Sequence, residues 1–388
     1  MTISNALQST ARRQVAAHAD NIENKGKTLA LKYNINPCII SYERLSQARA
    51  LKMRDGRDRW LGADCSFVLD NPALLPKGGS QNRHQLLSSR LALYFLADSG
   101  EAGPQQTSVF NALLSQIKLD AQLNSLTTAH QQSQLAQIAL HGGDIVYPHG
   151  PVSDEPAEIN RVMNAGLKVC QPIAQLLPFY AVFGNHEYAE GSVACDTQVL
   201  QNTLNNQVGM QAPGRYFTEI FEMPQSTVWV VAIDTSTLAC DEEQQRWVQS
   251  QAQQFLKEKS QDKKQQLILA GHHPMLSYGE HGLESAYLQQ LLYDVLEQTD
   301  LYLCGHEHDI QFLTFDQSDC ANTAFLPSTL VCGTAAKQRD TSSGLRTTYA
   351  SNAPGFSRIT LSPRQLKVDI FELDAQLKAA KLQFSTDM

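Results

Sequence analysis

Ala139-Leu140-His141-Gly142-Gly143-Asp144-Ile145-Val146-Tyr147-Pro148-His149-Gly150 is the stretch that decides how the chain folds. A short apolar run ends in two glycines, then presents Asp144 and, three residues on, Tyr147, which is how a buried strand runs out into a tight loop. In open α/β sheets ligands sit at that lip, outside the carboxyl ends of the strands. A carboxylate has two oxygens and can bridge two cations, and a phenolate is held deprotonated at neutral pH only by a strongly Lewis-acidic metal. Taken alone, Gly-Asp after a strand is more often an ordinary turn.

Outward from this stretch the arrangement repeats. Residues 91–97 form an apolar run that ends in Asp98-Ser99-Gly100, and 179–183 form another that ends in Gly184-Asn185-His186-Glu187. Residues 227–233 run into Asp234, 266–270 into Gly271-His272-His273-Pro274, and 301–304 into Gly305-His306-Glu307-His308. Between them the sequence predicts two polar, Gln-rich helices between positions 104 and 138 and one helix over 155–177. A further helix, opened by Asp241 and Gln244 in capping-box fashion, buries Trp247, Phe255 and Leu256, and another carries Leu288, Leu291, Leu292, Val295 and Leu296 on one face. Strand, helix, strand implies a parallel pair with a right-handed crossover. Positions 310–371 read as antiparallel strands with turns at Gly333, Gly344 and Pro354-Gly355. Residues 1–88, poor in large apolar side chains and broken at Gly62, Pro72 and Pro76, form a partly helical N-terminal extension without a motif, and 89–388 form the main domain.

A length of 388 residues allows a well-filled core. Hydrophobic residues at 42% and charged residues at 18% describe a soluble globular protein. No apolar run approaches the ~20 residues needed to cross a bilayer. Met1-Thr2-Ile3-Ser4 lacks the basic start and apolar centre of a secretory signal, so the expectation is a cytoplasmic protein or one exported by a non-classical route. The eight cysteines have no paired or metal-type spacing and are expected as free thiols packed like small hydrophobes. A net charge of −8 with no basic run offers no footprint for nucleic acid or for a membrane surface.

Singly, each strand-end residue has an ordinary use as a helix cap, a turn former or a satisfied histidine. Asp98, Asp144 with Tyr147, Asn185 with His186, His272 with His273, and His306 with His308 lie at the same end of successive buried strands. A core has no packing reason to gather such donors at one rim, so a metal centre is expected. His306 and His308 are two apart, which in extended backbone turns both rings to one side. Oxygen and imidazole donors without thiolate suit iron, zinc or manganese rather than a structural zinc site.

Together Asp98, Gly143-Asp144-x-x-Tyr147, Gly184-Asn185-His186-Glu187, His272 and Gly305-His306-x-His308 resemble the calcineurin-type metallophosphoesterase superfamily, and Gly-Asp-x-x-Tyr resembles the purple acid phosphatases. The match covers about residues 91 to 372. The resemblance implies an α/β (α+β) fold of four layers: two mixed β-sheets face to face, helices outside, and a di-metal site at the strand C-terminal ends. It implies Asp98, Asp144, Tyr147 and His308 as ligands of a trivalent iron. Asp144, Asn185, His272 and His306 then bind a divalent metal, Fe(II), Zn(II) or Mn(II), with Asp144 as the bridge. Gly271-His272-His273-Pro274 followed by Glu280-His281-Gly282 also resembles the small, mammalian-type purple acid phosphatases, which implies His186 and His281 as the two non-ligand histidines that contact phosphate and the leaving group. The family pattern is departed from at Ala97 and Ser99, where a glycine and an aromatic residue are usual, so substrate contacts near the first metal are expected to differ.

Two cations lower the pKa of a bound water and clamp phosphoryl oxygens, and a positioned imidazole protonates the leaving alkoxide. The expected activity is hydrolysis of phosphate monoesters, from small molecules or phosphoproteins, by a metal hydroxide. A phosphodiesterase on the same scaffold is the first competitor. A protein Ser/Thr phosphatase would require Asp-x-His in the first block and arginines flanking the second and third. A non-catalytic binding module would be expected to have lost a ligand, and none is missing.

Overall fold

The computed structural model describes residues 77–388 apart from 128–134, 191–192, 239–240, 260–261, 282–285, 316–325 and 378. Most of the expected N-terminal extension, residues 1–76, and Cys38, Cys65, Cys240 and Cys320 therefore lie outside the described residues.

In chain order come β1 (Ser80–Gln85), β2 (Arg90–Leu96), α1 (Pro104–Thr127), β3 (Leu135–His141) and α2 (Pro156–Val162). A π-helical turn (Met163–Leu167) and a 3-10 turn (Lys168–Cys170) lead to α3 (Gln171–Ala174) and β4 (Phe179–Ala181). There follow a short antiparallel pair, β5 (Ala189–Glu190) and β6 (Val193–Ala194), then α4 (Thr197–Thr203), β7 (Phe217–Glu222), β8 (Ser226–Ala232), α5 (Glu242–Lys257) and β9 (Lys264–Ala270). Helices α6 (Ala286–Leu291) and α7 (Tyr293–Leu296) precede β10 (Leu301–Cys304), β11 (Ile310–Leu313), β12 (Ser328–Cys332) and β13 (Thr347–Ser351). Strands β14 (Gly355–Leu361), β15 (Leu366–Leu373) and β16 (Ala380–Asp387) complete the chain.

Two mixed sheets result, an eight-stranded one in the order β1-β7-β8-β9-β10-β12-β11-β13 and a six-stranded one in the order β16-β15-β14-β2-β3-β4. The apolar runs explain the layering, because alternate side chains of a strand point to opposite faces. On β2, Leu91, Leu93 and Phe95 enter a core shared with Val228 and Val230 of β8 and Ile268 of β9, which fills the space between the sheets. Ala92, Tyr94 and Leu96 point the other way and pack with Val109, Phe110, Leu113 and Ile117 of α1. On β8, Trp229 and Val231 likewise face away from the inter-sheet core and meet Val248, Ala252 and Phe255 of α5. Helix, sheet, sheet, helix is thus the expected four-layer α/β architecture. Strands β2, β3 and β4 run parallel in one sheet, and β8, β9, β10 and β12 in the other.

The structure departs from the sequence expectations in several places. One helix of 24 residues, not two, follows Pro104 among the described residues, since no glycine or proline interrupts it after its first position. The helix expected over 155–177 is divided by the π and 3-10 turns, and Pro172, which lacks an N–H, falls just beyond the 3-10 segment. Asp241 caps α5 by accepting from the Gln244 N–H at 2.9 Å, as predicted, but Leu256 is 46% exposed because it lies about 100° round the helix from Phe255, outside the buried stripe of Val248, Ala252 and Phe255. Within the stretch assigned to the extension, β1 is an edge strand paired in parallel with β7. Cys170, Cys195, Cys304 and Cys332 are free and buried. No helix among the described residues is long and apolar enough to cross a membrane.

Candidate metal centre

The loops that leave β2, β3 and β4 in one sheet and β9 and β10 in the other meet at one place. The Tyr147 hydroxyl lies 3.1 Å from Asp98 Oδ1, 3.0 Å from Asp144 Oδ2 and 3.0 Å from His308 Nε2. His272 Nε2 is 3.3 Å from Asp144 Oδ2, and His308 Nε2 is 3.4 Å from Asp98 Oδ1. The His306 N–H donates to Asp98 Oδ2 at 2.8 Å and the His186 N–H to Asp144 Oδ1 at 3.1 Å. All of the predicted ligand positions after these strands are thus at or beside this cluster, with Asn185 held on the Gly184–Glu187 turn next to it. Close approach explains two motif glycines: a Cβ at Gly184 would fall 2.2 Å from Asp144 Oδ1, and one at Gly305 2.3 Å from Asp98 Oδ2.

Backbone strain is concentrated here. Asp98, Asp144, His306 and His308 adopt positive φ of 59°, 54°, 72° and 55°. Such non-glycine conformations cost about 1–3 kcal/mol each and persist where surroundings over-determine them. The values at His306 and His308 also correct the expectation of an extended segment: the chain curls in the left-handed region, and the curl, not strand alternation, places both rings at the cluster.

Burial and charge decide the protonation states. Burial alone would raise Asp144, but the neighbouring His272 and His186 outweigh it and hold the carboxyl well below its usual range. Burial, then Asp144 and Asp98, push the Tyr147 phenol well above its usual range. Burial followed by the neighbouring imidazoles depresses His306, which keeps its ring neutral and able to donate a lone pair. His272 goes the other way: burial would lower it, but Asp144 outweighs burial and raises it to about 10, so its ring gives up a proton when it binds a cation. Two buried carboxylates, a phenol and imidazoles make a donor set that fits cations. Asn185 Oδ1 fits too: it is buried and accepts no hydrogen bond from the described residues. Asp98, Asp144 and His272 form one group with donor atoms within 4.8 Å of one another, and His272, His273 and His306 form a second.

His273 was missing from the predicted ligand set. It stands beside His272, donor atoms within reach of the second group, while its Nδ1 lies 2.8 Å from Thr235 Oγ1. Glu187 was likewise unassigned. Wholly buried, it accepts from the N–H groups of Asp144 at 2.8 Å, Ile145 at 2.8 Å and Gly184 at 2.6 Å, so it ties the β3 loop to the β4 loop. The variant Glu187→Ala is expected to lose roughly 3 kcal/mol or more of stability, each buried N–H left without an acceptor costing about 1–3 kcal/mol. Chemical denaturation of both proteins at equal metal loading checks this, and a loss under about 1 kcal/mol would mean that the two loops do not depend on Glu187.

His186 and His281 flank the cluster. The His186 ring donates from Nδ1 to the Pro148 carbonyl and turns Nε2 to 3.8 Å from Asp144 Oδ2. The His281 ring stacks on His306 with centroids 4.3 Å apart, and its Nδ1 lies 3.1 Å from Glu307 Oε2. Two cations that carry no motif complete the rim: Lys337, whose Nζ is 4.6 Å from the Tyr147 ring centroid, and Arg339, whose Nη1 is 2.5 Å from His281 Nε2.

The sequence profile of the calcineurin-like phosphoesterase family matches residues 93–309, more than half of the chain. Tartrate-resistant acid phosphatase type 5 from pig is 27% identical over 156 residues, covering 37% of this chain and 44% of the pig protein. The human protein of that name is 25% identical over 217 residues, 50% of this chain and 64% of its own length. The matches thus span less than two thirds of these relatives. Among solved structures, purple acid phosphatase PPD1 from yellow lupin (Lupinus luteus) seeds superposes with a TM-score of 0.55 at 14% identity, over 81% of this chain and 55% of that one. GAP50, the anchor in the inner membrane complex of Plasmodium, gives 0.59 at 16% identity over 77% and 89%. Those two likenesses speak for the fold, and the profile speaks for descent: this chain belongs to the calcineurin-like phosphoesterase family.

Proposed function

We propose that the chain hydrolyses phosphate monoesters at a di-metal centre built from the strand-end cluster. The observation that carries this is the convergence of Asp98, Asp144 and His308 on the Tyr147 hydroxyl, within 3.0 to 3.1 Å, in a pocket where Asp98 and Asp144 are buried and strained. Asp98, Asp144, Tyr147 and His308 would hold one metal ion, and Asp144, Asn185, His272 and His306 the other. When bound, such a pair supplies charge stabilisation at phosphoryl oxygens and a lowered pKa for water. Zinc, manganese and iron all suit these donors, and the phenol favours ferric iron at the first position.

The chain's own side chains do the remaining work. Glu187 fixes the loops of Asp144 and Asn185, so the donors need not reorganise when substrate arrives. Glu307 holds the His281 backbone N–H at 2.9 Å and its Nδ1 at 3.1 Å, which turns Nε2 away from Glu307. In that orientation His281 can deliver a proton to a departing alcohol, and His186 is the second imidazole at the rim. Assay of purified protein against matched phosphomonoesters and phosphodiesters, with metal analysis of the same sample, tests the proposal. Faster turnover of diesters would transfer the assignment to phosphodiester hydrolysis, and inactivity of metal-loaded protein on both classes would remove it.

Tyr147 gives a separate expectation. A phenolate on ferric iron absorbs in the visible, so the loaded protein should be violet or pink and Tyr147→Phe colourless at unchanged iron content. A colourless, active wild-type protein loaded with zinc or manganese would overturn the iron assignment alone.

A further inference from the structure

The segment after β12 carries Lys337 and Arg339, and it is pinned to the candidate ligands through its backbone. The Gly333 N–H donates to Asp309 O at 2.9 Å, Ala336 N–H to Asp98 O at 3.2 Å, and Arg339 N–H to His308 O at 3.0 Å. Lys337 faces Tyr147 and pairs with Glu101. Arg339 faces the other way, into a cleft of about 520 Å³ between residues 278–280 and 338–342. The two walls are joined at their base, where Gly279 bridges Thr341 and the Ser342 N–H donates to Tyr278 O at 3.1 Å. Apart from the Tyr278 ring, polar side chains and backbone line the cleft. Arg339 both lines it and touches His281, whose ring stacks on His306, so Arg339 stands between the cleft and the candidate ligands.

We propose that this cleft receives the alcohol portion of a phosphate ester and that Arg339 binds a second acidic group on it, so that the favoured substrates are monoesters of alcohols bearing a carboxylate or a further phosphate. The proposal rests on the phosphatase assignment and adds its substrate class. Arg339 is equipped for an oxyanion. Its Nε lies 3.4 Å from Glu280 and its Nη1 2.5 Å from His281, while Nη2 has no partner among the described residues. The Glu280 side chain is 61% exposed, so that pairing is screened and is worth little against a substrate oxyanion. A planar guanidinium with a free edge accepts a carboxylate or phosphate in a two-pronged fashion that a lysine does not reproduce. Arg339 Nη1 now lies against the His281 ring, 2.5 Å from Nε2 and 3.2 Å from Nδ1, so its movement onto the substrate would both anchor the acidic group and uncover the imidazole.

Three probes of one carbon skeleton test this: ethyl phosphate, phosphoglycolate and ethane-1,2-diol bisphosphate. The metal-loaded wild type is expected to favour at least one of the two acidic esters over ethyl phosphate by about 10–100-fold in kcat/KM, the worth of a charge-assisted hydrogen bond. In Arg339→Gln that ratio should fall to near one, and Arg339→Lys should restore part of it. The ratio is independent of any effect of the substitution on His281 that all three esters share. Preference for phosphoglycolate alone would identify a carboxylate, and for the bisphosphate alone a phosphate. Equal wild-type rates on all three, or a ratio that survives Arg339→Gln, would overturn the subsite and leave the phosphatase assignment standing. Hydrolysis of none would overturn both.

Discussion

Asp144→Asn is expected to empty both metal positions at once and to lower kcat/KM by about 10³-fold or more, since removal of the centre forfeits several kcal/mol of charge stabilisation in the transition state. The side chain is 1% exposed, and one of its oxygens faces both halves of the cluster: Oδ2 lies 3.0 Å from the Tyr147 hydroxyl and 3.3 Å from His272 Nε2. Asparagine keeps the shape but withdraws the charge and replaces one oxygen by a donor. A residue serving one ion would lose one ion; a bridge loses two. Metal analysis after dialysis reads the difference directly. Retention of one metal per chain would confine Asp144 to a single position, and full stoichiometry with full activity would remove it from the centre.

The parts of this arrangement that the sequence discloses are those in which one residue type has one use. Apolar runs such as 91–97 and 301–304, which run out into Asp98 and Gly305-His306, reveal buried strands because both faces of each strand are covered. The donors after them are legible for the same reason, being out of place in a core. What stays hidden depends on tertiary neighbours. Glu187 looks like part of a motif, yet its role lies in N–H groups of a loop 43 residues earlier in the chain. Lys337 and Arg339 sit in a segment with no pattern, and only three backbone hydrogen bonds to Asp98, His308 and Asp309 make them neighbours of the centre. His306 and His308 show the converse: their convergence was anticipated, but from an extended backbone, whereas positive φ at both produces it. Local spacing carries no information about such strain, because the surrounding structure imposes it.

His281→Ala should separate proton delivery from metal binding. His281 lies outside the proposed ligand set, so the variant is expected to keep both metals. Arg339 Nη1 lies 2.5 Å from His281 Nε2 and 3.2 Å from Nδ1, so it sits against the ring, while Nδ1 faces Glu307 Oε2 at 3.1 Å. As an acid His281 must carry a second proton, a charge that Glu307 stabilises and the guanidinium against the ring opposes, so Arg339 has to move off before the imidazole can act. If it does so, alkyl phosphates suffer most in the variant, because their alcohols are weak acids that need the proton in the transition state, while a nitrophenolate departs without it. The extra loss on the alkyl ester is expected to approach ~10²-fold in kcat/KM, measured on metal-assayed samples. Equal losses on both esters would mean that His281 binds phosphate rather than protonating the leaving group, with His186 on the opposite rim as the remaining imidazole for that step. Unchanged rates on both would place His281 outside the reaction, and the stack on His306 at 4.3 Å would then be its whole contribution.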